Sequence, residues 1–465
     1  MHIVALICTL LAVTGLGVYS VKRVKSSNDF SVGGRSVGTP MVMGIVIGTL
    51  VGGSSTIGTA QLAYDYGFSA WWFTLGAGIA CVILGVALAK PLRESGVVTV
   101  PSLLAGHYGK RTGLYSSIFS SVGIFLNIIA QVLAAVSLLT SMTGLNSLSA
   151  AVIAVMLIVT YVVFGGVWGT GMVGILKTIL LYVAMLSAGA VAISAAGGLS
   201  WFTKTYDPFP WFSLFGRGAG TDLAAGFSLL VGVLSTQTYL QAMFSAKDAK
   251  TARKGAIISG LIIPPIGLAG IAVGLYMRAN FPQMNSSEVL PTFVLNYLPP
   301  WLGGIVLGTL LISIIGTGAG LVMGISTMFS HDIYRQFIRK QASDKVTLRF
   351  TRVTILAVSA LTLLFVSGNL NSLILKWSFL SMGLRGATIC FPLLCALFVK
   401  NRIQAKYVTA AVIAAPASSL GWAIFGFSFV DPLYVGLGIS FVILLVGVIV
   451  TGKNSNNAKG CEMLN

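Results

Sequence analysis

Residues 39–65 read TPMVMGIVIGTLVGGSSTIGTAQLAYD, and this stretch decides the fold. A bilayer-spanning helix needs about 20 mostly apolar residues, and the only charge in the stretch is Asp65, at its end. Its middle is made of poor helix formers: Gly44, Gly48, Gly52 and Gly53, then Ser54, Ser55 and Thr56. Non-helical backbone at membrane depth is tolerated only where it is buried in protein or lines a cavity. The stretch therefore predicts a discontinuous membrane helix that exposes backbone carbonyls half-way across.

The rest of the chain agrees with a membrane reading. Of 465 residues, 56% are hydrophobic and 9% are charged, with a mean hydropathy of +0.92. A soluble domain carries about 25% charged residues, so a soluble enzyme is excluded. Apolar runs fall at about 3–21, 39–65, 68–90, 114–142, 147–164, 167–197, 222–245, 254–279, 300–330, 349–367, 370–398, 405–427 and 431–451. They are too long for strands and lack the alternation of a membrane barrel. The fold class is an all-α polytopic membrane protein with about 13 transmembrane helices. A second break is predicted near Gly232, inside 222–245.

The net charge of +18 reports orientation. Of the 29 basic residues, 23 fall in alternate loops on one side and Lys204, Arg217 and Arg278 on the other. The positive-inside rule then places the C-terminus in the cytoplasm and the N-terminus outside. The first run has no preceding positive charge and no clear cleavage site, so it reads as an uncleaved span. No nucleic-acid partner is implied. The five cysteines and three histidines show no metal or redox spacing. There is no phosphate-binding loop, and the GxGxxG at Gly169–Gly174 sits in an apolar run with no strand before it. With no nucleophile–base pair visible either, the chain is not read as an enzyme and needs no cofactor.

Three basic residues remain inside apolar runs: Lys177, Lys376 and Arg385. Ionisable groups at the bilayer centre are functional by default. Arg385 is about 14–15 residues from either end of its run, near the midplane at ~1.5 Å per residue. It cannot lose its proton, so it needs either an anionic partner, such as a substrate carboxylate, or several broken-helix carbonyls. No acidic residue lies mid-run. Ser378, Ser381 and Arg385 share a helical face by spacing. Lys177 is also central and has three options: to stay charged against carbonyls, to lose its proton, or to pair with an anion. Lys376, close to the outer end, reads as snorkelling. Asn127 and Gln131, four apart on 114–142, either glue helices or line a pathway. Glycines recur every four residues at Gly44, Gly48 and Gly52, and again at Gly316, Gly320 and Gly324, beside Thr317. These stripes mark close helix packing, or two helices that meet at a site.

Several motifs in order resemble the sodium:solute symporter family. They are Phe30-Ser-Val-Gly-Gly-Arg35, Gly58 to Gly67, Val100-Pro-Ser-Leu-Leu-Ala105 with His107-Tyr-Gly, Gly165-Gly166, Ser245-Ala-Lys-Asp248, His331-Asp-Ile-Tyr334 and Pro392-Leu-Leu. The resemblance covers about residues 25 to 400. It implies a secondary active transporter with a five-plus-five inverted-repeat (APC/LeuT-like) core that imports a small polar solute by alternating access. It divides the chain into 1–35, a first helix and cytoplasmic loop; 36–398, the core, with repeats 36–197 and 222–398; and 399–465, two peripheral helices and a tail. Na+ is the implied coupling ion, held by the carbonyls of Gly48, Val51 and Ser313 and the hydroxyl of Thr317. Ser54, Ser55, Asn127, Gln131, Ser381, Lys177 and Arg385 become candidates for substrate or coupling. The two buried cations lean the solute toward an organic anion or an amino acid, and Leu229, Gly232 and Val233 argue against a sugar. A bacterial inner membrane is the expected location.

The departures from the family pattern concentrate at the ion position. A second hydroxyl beside Thr317 is replaced by Gly316, and two further serines by Ala319 and Gly320. In Met172-Val-Gly-Ile-Leu-Lys177 the family's aspartate is Gly174 and its glutamine is Lys177. An ammonium and a sodium ion in one small site repel. The alternative expectation is therefore a sodium-independent transporter, proton-coupled or uncoupled, in which Lys177 takes the sodium position. A channel-like facilitator is the further rival, distinguished by the absence of saturation and counterflow.

Overall fold

The computed structural model describes residues 33–164, 166–370, 372–399, 402–427 and 429–462, together with 5, 8, 9, 11 and 15. Most of the expected first span and its loop, with the start of the Phe30 motif and Gly165, lie outside the described residues. The remaining twelve expected runs are helical. Among the described residues, nine helices are long and apolar enough to cross a membrane, or ten with one bent pair counted as a span. Thr39–Leu50 and Ser147–Val162 are shorter apolar helices.

The first core span is broken where the sequence predicts. Helix α1 (Thr39–Leu50) ends at Val51, which is extended at φ −93° and ψ 100°, and a π-helical turn at Ser54–Gly58 leads into α2 (Thr59–Tyr66). Gly67, at φ 64°, turns the chain into α3 (Trp72–Ile83), followed by α4 (Ala89–Glu94) and α5 (Val100–Tyr108). Then come α6 (Lys110–Thr143), α7 (Ser147–Phe164), α8 (Gly166–Ala195) and the short α9 (Leu199–Thr205). The second break lies next to Gly232, as the sequence predicts: α10 (Ala219–Val233) and α11 (Gln237–Ser245) meet at 40°. The Thr236 hydroxyl donates to Gly232 O at 2.5 Å and closes the last turn of α10. The chain continues with α12 (Ala249–Asn280), α13 (Val289–Tyr297), α14 (Pro300–Met328), α15 (Asp344–Ser367), α16 (Ile374–Phe398), α17 (Ala405–Ile424) and α18 (Pro432–Glu462).

Small residues let backbones touch, as expected where lipid supplies no hydrophobic drive for helix association. The two glycine stripes do not face each other along their length. Gly44 packs on Gly171 and Ile175 of α8, Gly52 meets Gln131 and Thr317, and Gly316 faces open space. Near Gly48 the two helices do meet, and that is where the site forms.

One of the sequence motifs, Ser245–Asp248, is a structural junction. Val37 pairs with Ala246 through Val37 N to Ser245 O (3.3 Å) and Lys247 N to Val37 O (3.0 Å), and Arg93 donates to Ala246 O and Lys247 O. Asp248 caps α12 by accepting from Thr251 N at 2.7 Å, and that bond holds its carboxyl below the usual carboxylate range.

Candidate functional site

Where α1 unwinds, the carbonyls beyond its last turn need new donors, because unpaired backbone groups are costly in a membrane. Leu50 O accepts from Ser55 Oγ at 3.3 Å and Gly52 O from Thr56 Oγ1 at 3.0 Å. Val51 O accepts from Ser313 Oγ at 3.0 Å and faces Thr317 Oγ1 at 3.4 Å. Gly48 O accepts from Lys177 Nζ at 2.7 Å. The same ammonium donates to Ser313 O at 2.9 Å and to Thr317 Oγ1 at 2.9 Å. Lys177 is 2% exposed. An ammonium has three donors and no acceptor, and here all three are used.

Lys177 Nζ thus bridges α1, α8 and α14 on three of the four oxygens named from the family resemblance. The fourth, Val51 O, is taken by α14 hydroxyls. A cavity of about 20 Å³ borders Nζ, lined by Tyr161, Val173, Gly316, Ala319 and Gly320 among others. Three of those residues stand where the family places hydroxyls. The space suffices for about one water.

The aspartate position of the family, Gly174, is buried against α1. A Cβ there would stand 2.7 Å from the carbonyl carbon of Gly44 and closer still to its oxygen. The oxygen set therefore does not fit a sodium ion at this position while Lys177 is in place. Its donors already fill the oxygens, and no acidic side chain stands among the oxygens around it.

The other expected residues fall into two groups. Ser54 Oγ lies 2.6 Å from Ser378 Oγ; Gln131 Nε2 donates to Ser54 Oγ (3.1 Å) and Asn127 Oδ1 (3.2 Å), while its Oε1 accepts from Gly53 N at 2.8 Å. This closed network ties α2's lead-in, α6 and α16 together, so Asn127 and Gln131 join helices. Ser55 turns back onto the break. In the second group Ser381 Oγ donates to Gly123 O, and Arg385 donates to Ser381 O (3.1 Å), Ser381 Oγ (2.9 Å) and Met382 Sδ (3.1 Å). Arg385 is fully buried and these three acceptors all lie on its own helix, so bracing of the broken-helix carbonyls, one of its two expected roles, is not what it does. Lys376 is exposed at the rim of an outer cavity of about 630 Å³, with Arg217, Phe379, Gly383 and Asp431. Arg217 is held there by Asp222, at 2.6 Å.

Sequence reasoning missed the closure at the other end. Asp332, 1% exposed, accepts from Thr99 Oγ1 (3.0 Å), Ser102 Oγ (2.8 Å) and Ser117 Oγ (3.3 Å). Gln237, first residue of α11, accepts from Val100 N at 2.8 Å and donates to Val98 O at 3.0 Å. The motifs at Val100 and His331 are thus two halves of one latch. Asp332→Ala removes the common acceptor of three hydroxyls and is expected to cost about 3 kcal/mol, since hydrogen bonds to charged groups contribute ~1.5–3 kcal/mol each and the hydroxyls find partial replacement in water. The thermal midpoint of the purified variant checks this; an unchanged midpoint would show that the latch holds nothing.

A first break whose exposed carbonyls gather at Lys177, a second broken helix and a large cavity suit a secondary transporter of the LeuT-like fold. The sequence profile of the sodium:solute symporter family matches residues 30–411, and the chain belongs to that family. It is 26% identical over 376 residues to the uncharacterized symporter YwcA of Bacillus subtilis, covering 76% of this chain and 73% of that protein. To the human high affinity choline transporter 1 it is 25% identical over 441 residues, covering 86% and 73%. Among solved structures, a Na+-coupled sialic acid symporter in a substrate-bound outward-open state matches with a TM-score of 0.81 at 20% identity, over 97% of each chain. A nucleobase-cation-symport-1 family transporter matches at 0.60 and 13%, over 93% and 96%. The protein is an integral membrane transporter, not an enzyme.

Proposed function

We propose that this protein imports a small polar solute, an organic anion or an amino acid, across a bacterial inner membrane by alternating access, and that Lys177 takes the place of a sodium ion in its coupling. The observation that carries this reading is the ammonium of Lys177 on Gly48 O, Ser313 O and Thr317 Oγ1. Two unit charges 4 Å apart repel by ~4 kcal/mol at an effective dielectric of 20, which weakens sodium binding there by roughly a thousandfold. The charged ammonium ties the broken helix to α8 and α14. Without its proton it has two donors for three oxygens, and the tie loosens. Gain of a proton from outside and its loss to the cytoplasm then couples the proton gradient to the exchange of states, with the small cavity at Gly316 as the water-sized route for the proton. Choline, the solute named for several relatives, fits poorly: it would enter a core that already holds two buried cations with no mid-membrane carboxylate among the described residues.

The experiment does not require the solute to be identified first. Purified protein is titrated with ²²Na+ and its melting temperature compared in NaCl and KCl at equal ionic strength. Reconstituted protein is then assayed for uptake of a panel of carboxylates and amino acids under a pH gradient or a sodium gradient. The expected result is no sodium-specific binding or shift, with uptake driven by the pH gradient and lost in Lys177→Gln. Millimolar sodium binding by the unaltered protein, or sodium-driven uptake that survives in Lys177→Gln, overturns the proposal.

A further inference from the structure

Arg385 is the largest fully buried side chain among the described residues and has no acidic partner there. A guanidinium cannot neutralise itself by losing a proton, and an isolated buried charge is far too costly to keep without compensation. Its Nε and Nη2 are spent on Ser381 and Met382, whereas Nη1 has no hydrogen-bond partner.

Nη1 is not alone. Four further buried side-chain hydroxyls form no hydrogen bond of ordinary geometry among the described residues, those of Tyr239, Thr238, Ser120 and Ser121. With Arg385, these residues come from three elements that converge here. Tyr239 faces Arg385 directly from α11. Gly123 of α6, one turn from Ser120, lies so close to Arg385 that a Cβ would collide with its Cγ. Thr238 and Ile124 both border Gly324 of α14, which brings the α11 hydroxyls to the same level of α6. Thr238 and Tyr239 stand in the first turn of α11, directly after the break. One fixed positive charge, with the Tyr239 hydroxyl facing it and unpaired hydroxyls on the adjoining helix turns, is complementary to one negative charge with several lone pairs.

We propose that Arg385 Nη1 and the hydroxyl of Tyr239 seat the carboxylate of the transported solute, with the neighbouring serine and threonine hydroxyls completing its hydrogen bonds. A monoanion suits the site: a carboxylate accepts side by side from a guanidinium and cancels its single charge, whereas a dianion leaves a net charge buried. Access comes from the outer cavity. Its lining includes Ser228 and Gly383, and the residue before Gly383, Met382, packs on Gly232 and accepts from Arg385 Nη2. Displacement of the Met382 sulfur, a weak acceptor, by a carboxylate oxygen exchanges a poor hydrogen bond for a charge-assisted one.

This inference deepens the transport reading by naming the solute class, and it is tested separately from coupling. The full chain in nanodiscs is titrated with the potassium salts of acetate, pyruvate and proline, with potassium chloride and choline chloride as controls, following tryptophan fluorescence and melting temperature. At least one carboxylate is expected to bind where the controls do not. Its affinity falls roughly a hundredfold in Arg385→Gln, as for truncation of one partner of a buried charge pair. It falls roughly tenfold in Tyr239→Phe, which loses one charge-assisted hydrogen bond, and Arg385→Lys recovers part of it. Should Arg385→Gln fail to fold, Tyr239→Phe, which removes the hydroxyl facing Arg385, and Ser120→Ala, which removes an unpaired one, decide the matter. Absence of carboxylate binding by the unaltered protein, or binding that is undiminished in Arg385→Gln or in Tyr239→Phe, overturns the proposal. Carboxylate binding together with sodium-driven uptake retains this site and removes the coupling role of Lys177; pH-driven uptake of choline alone does the reverse.

Discussion

Gly174→Ala is expected to destabilise the protein by about 3 kcal/mol, near the upper end of the usual cost of overpacking a core. The sign is the informative part. In a solvent-exposed helix the same change stabilises by ~1 kcal/mol, because alanine is the better helix former. Here the added methyl has no room: it would meet the carbonyl carbon of Gly44 at 2.7 Å, its oxygen at shorter range and its Cα at 3.2 Å. The obstacle is backbone, which cannot swing aside as a side chain can, so α1 and α8 must separate. Separation draws Lys177 Nζ away from Gly48 O, four residues along α1 from the contact, and so couples packing to the cation position. The measurement is the fraction of monodisperse protein and the melting temperature in detergent, with Gly316→Ala as a control because nothing stands within 4 Å of its Cβ. A Gly174→Ala variant as stable as the control would show that the two helices have slack that the packing denies.

Why some of this was legible in sequence and some was not follows from the range over which each feature acts. The break after Leu50 is a local matter of glycine and serine chemistry, and it appears at the stretch that predicted it. The second break, beside Gly232, is local in the same way, and the Thr236 hydroxyl that closes on Gly232 O is a side-chain choice that periodicity does not report. Lys177 and Arg385 stood out because an apolar chain makes every internal charge conspicuous. Their surroundings did not. Three of the four oxygens expected for sodium are the ones on Lys177, and Val51 O drops out because an ammonium has only three protons to share. The Asp332 latch joins residues 230 and 233 positions apart, beyond the reach of any spacing rule. Tyr239 sits in an ordinary apolar run, and only the turn of the backbone before it reveals the unpaired hydroxyls around Arg385.

Lys177→Gln combined with Gly316→Ser is expected to bind sodium where the unaltered protein does not. Removal of the ammonium alone lifts the ~4 kcal/mol repulsion and frees Gly48 O, Ser313 O and Thr317 Oγ1. It also leaves a hole and only neutral carbonyl and hydroxyl oxygens. Gly316 lies beside Thr317 at the small cavity, and its Cβ direction is open, so a serine there adds an oxygen ligand without displacing anything. The family's aspartate cannot be restored in the same way, since Gly174 has no space for it. The rebuilt site therefore stays one negative charge short, and its expected affinity is millimolar rather than micromolar; that still represents roughly a thousandfold gain over the unaltered protein. Binding of ²²Na+ to the purified double variant, displaced by unlabelled NaCl and not by KCl, checks the outcome, and Lys177→Gln alone should give a weaker response. If the double variant binds sodium no better than the unaltered protein, repulsion by Lys177 is not what excludes the ion, and the missing carboxylate at Gly174 is. Gain of sodium binding would instead show that one lysine, by occupying the oxygens of an ion site, converts a mobile cation into a fixed one and leaves the proton as the only charge that can come and go.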